Sequence, residues 1–397
     1  MLISLAFCIA ATTAFFFAPS FWWQVALFSS SFLAGCCVAA WGYFLKSGTP
    51  KNERYKTIAD MLAFSYILLL LVVKAAWSIS PHTGLILTIL PLCIALLLAL
   101  RFPEKESKQC LSPVKAPEQH ISITKPLVFL CLFILAVAIN VGLMYQMQFP
   151  AFAHLKQLNS WYWAVPYIAG VMIIRYLPRK VKRANILYVA IAMTGFSFIG
   201  FMLLDRSAVS YLIVHTLMFG ATGIFNLFWW TMLGEMLEFH KNPARILGTG
   251  LFANVLGILI GELIIGAVAP GNEQTYSSLL ALALVCLTLV MLPPLYSLLI
   301  ALLKNHEYLT VFYKMPQHEQ TRLIHKYAAA GKLTNRETEI ASLLIKGRTY
   351  RMVASELYVS ENTVRFHVKN IYSKYAVRNR VELINAMMSE KSTSGRH

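Results

Sequence analysis

Long apolar runs occupy the first three quarters of the chain. Ten stretches, at about 1–18, 21–45, 57–77, 83–102, 126–148, 158–177, 186–204, 208–232, 246–269 and 277–303, carry almost no charge. A helix needs about 20 predominantly apolar residues to cross a bilayer, so the pattern predicts ten spans. After residue 303 the pattern changes. Apolar residues now recur singly at helical spacing, with charged residues between them. The chain therefore reads as all-α. A transmembrane helical bundle is expected over residues 1–303, a cytoplasmic linker over 304–332, a small four-helix domain over 333–390 and a tail over 391–397.

The small domain holds the most informative spacing. Thr334 and Glu337 form the two ends of a capping box, Ile340, Leu343 and Leu344 follow at helical spacing, and Gly347 closes the helix. A second helix is predicted from Tyr350 to Leu357, with Val353, Ala354 and Leu357 on its apolar face. The turn Tyr358-Val359-Ser360 comes next, and Ser360 is placed to cap a third helix, Glu361 to Tyr375. That helix aligns Val364, Val368, Ile371 and Tyr372 on one side and leaves Arg365, Phe366, His367, Lys369 and Lys374 on the others. Two helices joined by a tight turn, the second with a basic open face, form a helix-turn-helix. In that motif the second helix enters the DNA major groove.

Three segments carry a family resemblance: LTNRETEI, VASELYVSENTVRFHVKNIYSKY and RNRVELI. Together they resemble the LuxR/NarL/FixJ class of bacterial helix-turn-helix domains over about 56 residues. The resemblance implies that Arg365, Phe366 and Lys369 face bases in double-stranded DNA. It implies that Thr363, Lys374 and Arg380 meet phosphates. It also implies that a last helix bearing Val381, Leu383, Ile384 and Met387 forms a homodimer. The chain departs from the family pattern at Thr349-Tyr350-Arg351-Met352, and at Ala376, where the family has glycine.

Charge then sets the orientation of the spans. The connections 46–56, 101–125, 175–183 and 233–245 hold sixteen Lys and Arg, whereas the alternate connections hold three, Lys74, Lys156 and Arg206. The positive-inside rule puts the first set in the cytoplasm, and ten spans then leave both termini there, beside bacterial DNA. The expected location is the inner membrane. Met1–Ser20 has no basic leader and reads as a retained span. Of the formal net charge of +17, about +8 falls in residues 304–397, which suits a partner rich in phosphates.

The long proline-bearing loop at 102–125 divides the spans four and six. That division, and the basic turn from Arg175 to Arg183, resemble the major facilitator transporters, on whose pattern two N-terminal helices are missing. The resemblance implies the fold more than transport. An alternative reading is a transporter of that kind with an autoregulatory DNA-binding tail.

Ionisable and amide groups at membrane depth are costly and mark functional sites by default. Glu262, in GILIGELIIGAV, is the foremost candidate for binding a small-molecule effector, with Asn254 eight residues before it and Asn140, His215 and Asn226 as further polar candidates. Ala253, Gly257 and Gly261 make a stripe of small residues suited to close helix packing. Trp229 and Trp230 read as interface anchors, and Asp60, Glu235 and Glu238 as solvated groups at cytoplasmic ends. The seven cysteines form no CxxC pair, and no nucleotide loop, metal spacing or catalytic triad signature is present. The sequence thus predicts a non-enzyme without cofactor or metal. It reads as a one-component regulator that senses a signal through its spans.

Overall fold

The computed structural model describes the chain apart from residues 52, 102–122, 178–182, 241, 269–273, 315–316, 347, 378–381 and 384–397. The described residues form helices and no strand. In order, the longer ones are α1 (Leu2–Thr13), α2 (Phe21–Gly48), α3 (Arg54–Ser78), α4 (Pro81–Arg101) and α5 (Thr124–Ala151), then, after a single helical turn at Lys156–Asn159, α6 (Ala164–Tyr176), α7 (Arg183–Leu203), α8 (Ala208–Met236), α9 (Pro243–Val268) and α10 (Gln274–Lys314). Four shorter helices follow among the described residues: α11 (Gln317–Ala330), α12 (Asn335–Ile345), α13 (Tyr350–Glu356) and α14 (Glu361–Lys374). Two compact units result, a larger one ending at Leu295 and a second carrying the C-terminal helices.

Eight of these helices are long and apolar enough to cross a membrane: α2, α3, α4, α5, α7, α8, α9 and α10. The other two expected spans are shorter. The first is α1 with a 3-10 turn at Ala14–Phe16, and the sixth is α6, of 13 residues. The sixth falls short because Ser160 to Trp163 form turns before α6 begins, although Trp161, Tyr162 and Trp163 are large aromatic residues. Most of the long loop at 102–125, and the middle of the basic turn at 175–183, lie outside the described residues.

Helix α8 is the centre of the larger unit. It packs against α7, α6 and α3, and most of its residues are buried. Glycine makes the closest approaches. A Cβ added at Gly170 of α6 would lie 2.7 Å from the Gly220 carbonyl oxygen of α8, and one at Gly223 would lie 2.6 Å from the Tyr167 carbonyl oxygen. The small-residue stripe of α9 acts the same way. Gly257 and Gly261 sit against the backbone of α5 at Leu135, Ile139 and Gly142, as the spacing predicted.

Hydroxyl side chains in the bundle bond mainly to their own helices. Thr12, Ser29, Thr88, Thr194, Thr222 and Thr231 each donate to the carbonyl four residues back. Where water is absent, these bonds satisfy the hydroxyls that make them.

The acidic groups at the helix ends are paired rather than freely solvated. Asp60 of α3 lies 2.6 Å from Arg175 of α6. Arg54, at the start of α3, is buried and lies 2.6 Å from Glu238. Its guanidinium also donates to the carbonyls of Lys46, Thr49 and Gly234, so one cation ties together the ends of α2, α3 and α8. Removing it strands the Glu238 carboxylate and three carbonyls. Arg54→Ala is expected to lower the stability of the bundle by about 2–3 kcal/mol. Thermal unfolding of the detergent-solubilised chain, followed by circular dichroism, checks this, with Arg54→Lys recovering only part of the loss.

Candidate functional site

The second unit is a small core built from short helices. Ile340, Ala341, Leu344 and Ile345 of α12, Val353 and Ala354 of α13, and Val364, Val368 and Ile371 of α14 are all buried together. Ile324 of α11 joins them, so part of the segment expected to act as a linker belongs to this core. Leu383, expected on a dimer surface, is fully buried in the same core. Arg380, Val381, Ile384 and Met387 lie outside the described residues.

Helices of 11, 7 and 14 residues gain little from their own length, so their ends matter. All three are capped by a side chain. Thr334 accepts from the Glu337 amide at 3.3 Å while Glu337 accepts from the Thr334 amide at 2.8 Å, completing the capping box. Ser360 accepts from the Thr363 amide at 3.0 Å. Thr349 caps α13 by accepting from Met352, a cap that the sequence reading had passed over. Tyr358 makes the turn between α13 and α14 with a φ of 53°, and Ala376 ends α14 with the same φ. Ala376 thus occupies a left-handed position that a glycine would fill without strain.

Helix α14 turns Val364, Val368 and Ile371 inward, which fixes its outer face. Thr363, Arg365, Phe366 and Lys369 are exposed there. Phe366 is 63% exposed, an unusual state for a phenylalanine on a water-soluble surface and one that suits contact with a partner. Arg365 is held by Glu361 one turn back at 2.6 Å, and its guanidinium lies 5.7 Å from the centre of the Tyr350 ring. The turn itself is braced by Arg336, whose guanidinium donates to the Leu357 carbonyl at 2.9 Å.

Lys374, expected to meet a phosphate, is engaged within the domain. Its ammonium lies 2.5 Å from the Glu337 carboxylate and 3.1 Å from the Lys332 carbonyl. Glu337 therefore has two tasks: it caps α12 and anchors the end of α14. No local pattern signals this, because the two residues are 37 apart. Burial pushes the Glu337 carboxyl up, but hydrogen bonds from Lys374 and Thr334 outweigh it and hold the group below its ordinary value.

The polar candidates of the larger unit separate into different surroundings. His215 is fully buried and stacked on Tyr211 at 4.0 Å, with Phe149, Phe152 and Phe219 around it. It is thus enclosed in aromatic packing, with its Nε2 unpartnered. Asn140 is also buried. Its amide nitrogen donates to the Ala136 carbonyl, its oxygen is unpartnered, and with Thr194, Thr222 and Thr288 it lines a cavity with room for about one water molecule. Asn226 bridges two aromatic side chains, donating to the Tyr167 hydroxyl at 3.1 Å and accepting from Trp229 at 3.0 Å. Trp229 is buried, so it is packed inside the unit rather than anchored at an interface. Asn254 and Glu262 are half-buried on α9.

A capped pair of helices meeting at a tight turn, with an arginine, a phenylalanine and a lysine on the open face of the second, is a helix-turn-helix DNA-binding domain. Comparison with known proteins agrees. Residues 331–387 match the family described as bacterial regulatory proteins, luxR family. The chain is 42% identical over 52 residues to the spore germination protein GerE of Bacillus subtilis, covering 13% of this chain and 70% of that protein. It is 36% identical over 67 residues to the uncharacterized response regulatory protein YgeK of Escherichia coli, covering 17% and 46% of the two chains. It is 42% identical over 53 residues to the CsgBAC operon transcriptional regulatory protein of Escherichia coli, covering 13% and 24%. The chain therefore spans more than two thirds of the first relative but half or less of the other two. Through its C-terminal domain it belongs to the luxR family of bacterial regulators.

The double role of Glu337 gives a measurable consequence. Its contribution to stability is present above an ordinary glutamate value of about 4.3 and fades as pH falls through its lowered folded value. Glu337→Gln is expected to destabilise the C-terminal domain by about 1–2 kcal/mol at pH 7 and to flatten its loss of stability between about pH 5 and pH 3. Hydrogen exchange of the α12 and α14 amides across that range checks both parts.

Proposed function

We propose that this chain is a membrane-anchored one-component transcription regulator. The observation that carries the reading is the union, in one chain, of eight membrane-length helices with a luxR-family DNA reader. In this reading the bundle lies in the bacterial inner membrane with both termini cytoplasmic, and the C-terminal domain binds operator DNA as a homodimer. A small-molecule effector favours one arrangement of the bundle, and that arrangement changes how two reader domains pair on DNA. Arg365, Phe366 and Lys369 supply base contacts and Thr363 a phosphate contact, which their exposure on α14 supports.

Two experiments test this. Arg365→Ala is expected to cost about 1–3 kcal/mol of operator affinity and to relax sequence preference at one base pair. Lys374→Ala should instead weaken all DNA sequences alike while lowering the thermal stability of the domain. Binding of randomised duplexes to the full chain in nanodiscs, read by sequencing, separates the two. The second experiment compares transcripts between cells expressing the intact chain and cells expressing the Arg365→Ala, Lys369→Ala double variant, across a panel of small molecules. One compound should alter a gene set only with the intact chain. If expression follows the reader domain and no compound matters, the sensing part of the proposal fails.

A further inference from the structure

Tyr350, one of the residues at which the chain departs from its family pattern, falls beside the open face of α14. It opens α13 directly after the cap Thr349. Its ring packs, partly buried, against the small core, and its hydroxyl lies 3.4 Å from that of Tyr372 on α14. A ring held by packing on one side and by a hydroxyl contact at its tip is a fixed platform. The Arg365 guanidinium carbon lies 5.7 Å from the centre of that ring.

Glu361 is the other restraint on Arg365. It is the first residue of α14, next to the cap Ser360, where the helix dipole favours a carboxylate. One of its oxygens accepts from Nη2 of Arg365 at 2.6 Å. Two helices thus reach one guanidinium, on a side chain that is otherwise 61% exposed. Neither contact adds much to stability, because an exposed ion pair and a cation over an exposed ring are both weak. Their effect is on direction. An arginine side chain has many rotamers, and freezing it on a base subtracts from affinity. A guanidinium that is already confined loses less. Its fork carries five N–H donors, and Glu361 engages it through Nη2 alone, which leaves donors for a base edge.

We propose that Tyr350 and Glu361 are positioning residues that fix the direction in which Arg365 reads DNA, and so set the strictness of base choice without touching a base themselves. The inference rests on the reading of Arg365 as a base contact and adds the device that aims it. Glu361 has a second effect of opposite sign. Its negative charge stands on the helix that approaches phosphates, so it weakens binding to DNA of any sequence. Removing that charge loosens discrimination and at the same time tightens non-specific binding. A residue that merely supported the fold would move both in the same direction.

The test uses the full chain in phosphatidylethanolamine–phosphatidylglycerol nanodiscs and randomised duplexes read by sequencing. Arg365→Ala first identifies the base pair whose preference depends on the guanidinium. Glu361→Gln and Tyr350→Leu are each expected to lower the preference at that base pair about three- to tenfold and to leave the other positions unchanged. Glu361→Gln should also bind duplexes without the operator sequence more tightly than the unsubstituted chain does. Tyr350→Phe, which keeps the ring, should retain the preference. In the Arg365→Ala background neither substitution should lower it further, because no guanidinium is left to aim. Unchanged preference in Glu361→Gln or in Tyr350→Leu overturns the proposal, as does a further loss in the Arg365→Ala background. Glu361 lies at the surface, so Glu361→Gln decides the matter where Tyr350→Leu fails to fold. If Arg365→Ala alters no base preference, the base-contact reading and the proposal fall together. If it does and the positioning variants do not, the proposal alone falls.

Discussion

Backbone amides in a bilayer have no water to bond with, and this constraint shapes most of the chain. Every peptide group of the bundle must find its partner inside the protein, so the chain is helical almost throughout. Many side chains follow the same rule, although the buried Asn140 oxygen does not. Hydroxyls return to carbonyls of their own helix, the Asn226 amide and Trp229 indole bond to each other, and a buried arginine gathers three helix-end carbonyls. The C-terminal unit is built in another solvent and by other means. There water competes for every amide, the helices are short, and a capping side chain stands at the head of each of its last three helices.

That difference explains what could be read from the sequence. In the C-terminal unit the determinants are local. Thr334 with Glu337, and Ser360 with Thr363, are three residues apart, and the inward positions Val364, Val368 and Ile371 follow one helical period. Element limits from such signals fall within about a residue of the observed ones. The long spans were legible for a similar reason, since length and hydropathy are properties of a segment by itself. The short α6 was not, because hydropathy does not distinguish a tryptophan in a turn from one in a helix.

What the sequence could not show are the relations between distant segments. Glu238 with Arg54, Asp60 with Arg175 and Glu337 with Lys374 are pairs far apart in sequence. Asp60 and Glu238 by themselves read as solvated charges, Glu337 as a cap alone and Lys374 as a phosphate contact. The stacking of Tyr66 on Tyr167 escaped for a different reason. In a lipid-soluble helix a tyrosine facing lipid and one facing a crevice look alike, and the apolar pattern runs all round the helix. Glu262 was conspicuous as a charge among apolar residues.

Gly142, Gly257 and Gly261 carry a mechanical consequence. Where α5 and α9 meet at these glycines, backbone lies close to backbone, with only the small Ala138 side chain against Gly257. Such a seam has little to repack, so it does not readily open a little and settle into a new fit. It can only stay closed or slide along its length, in the manner of a shear rather than a hinge. Any rearrangement of the bundle that involves these two helices is therefore confined to one direction, along the helix axes. That confinement would turn a small local event at Glu262 into an axial displacement rather than a diffuse loosening.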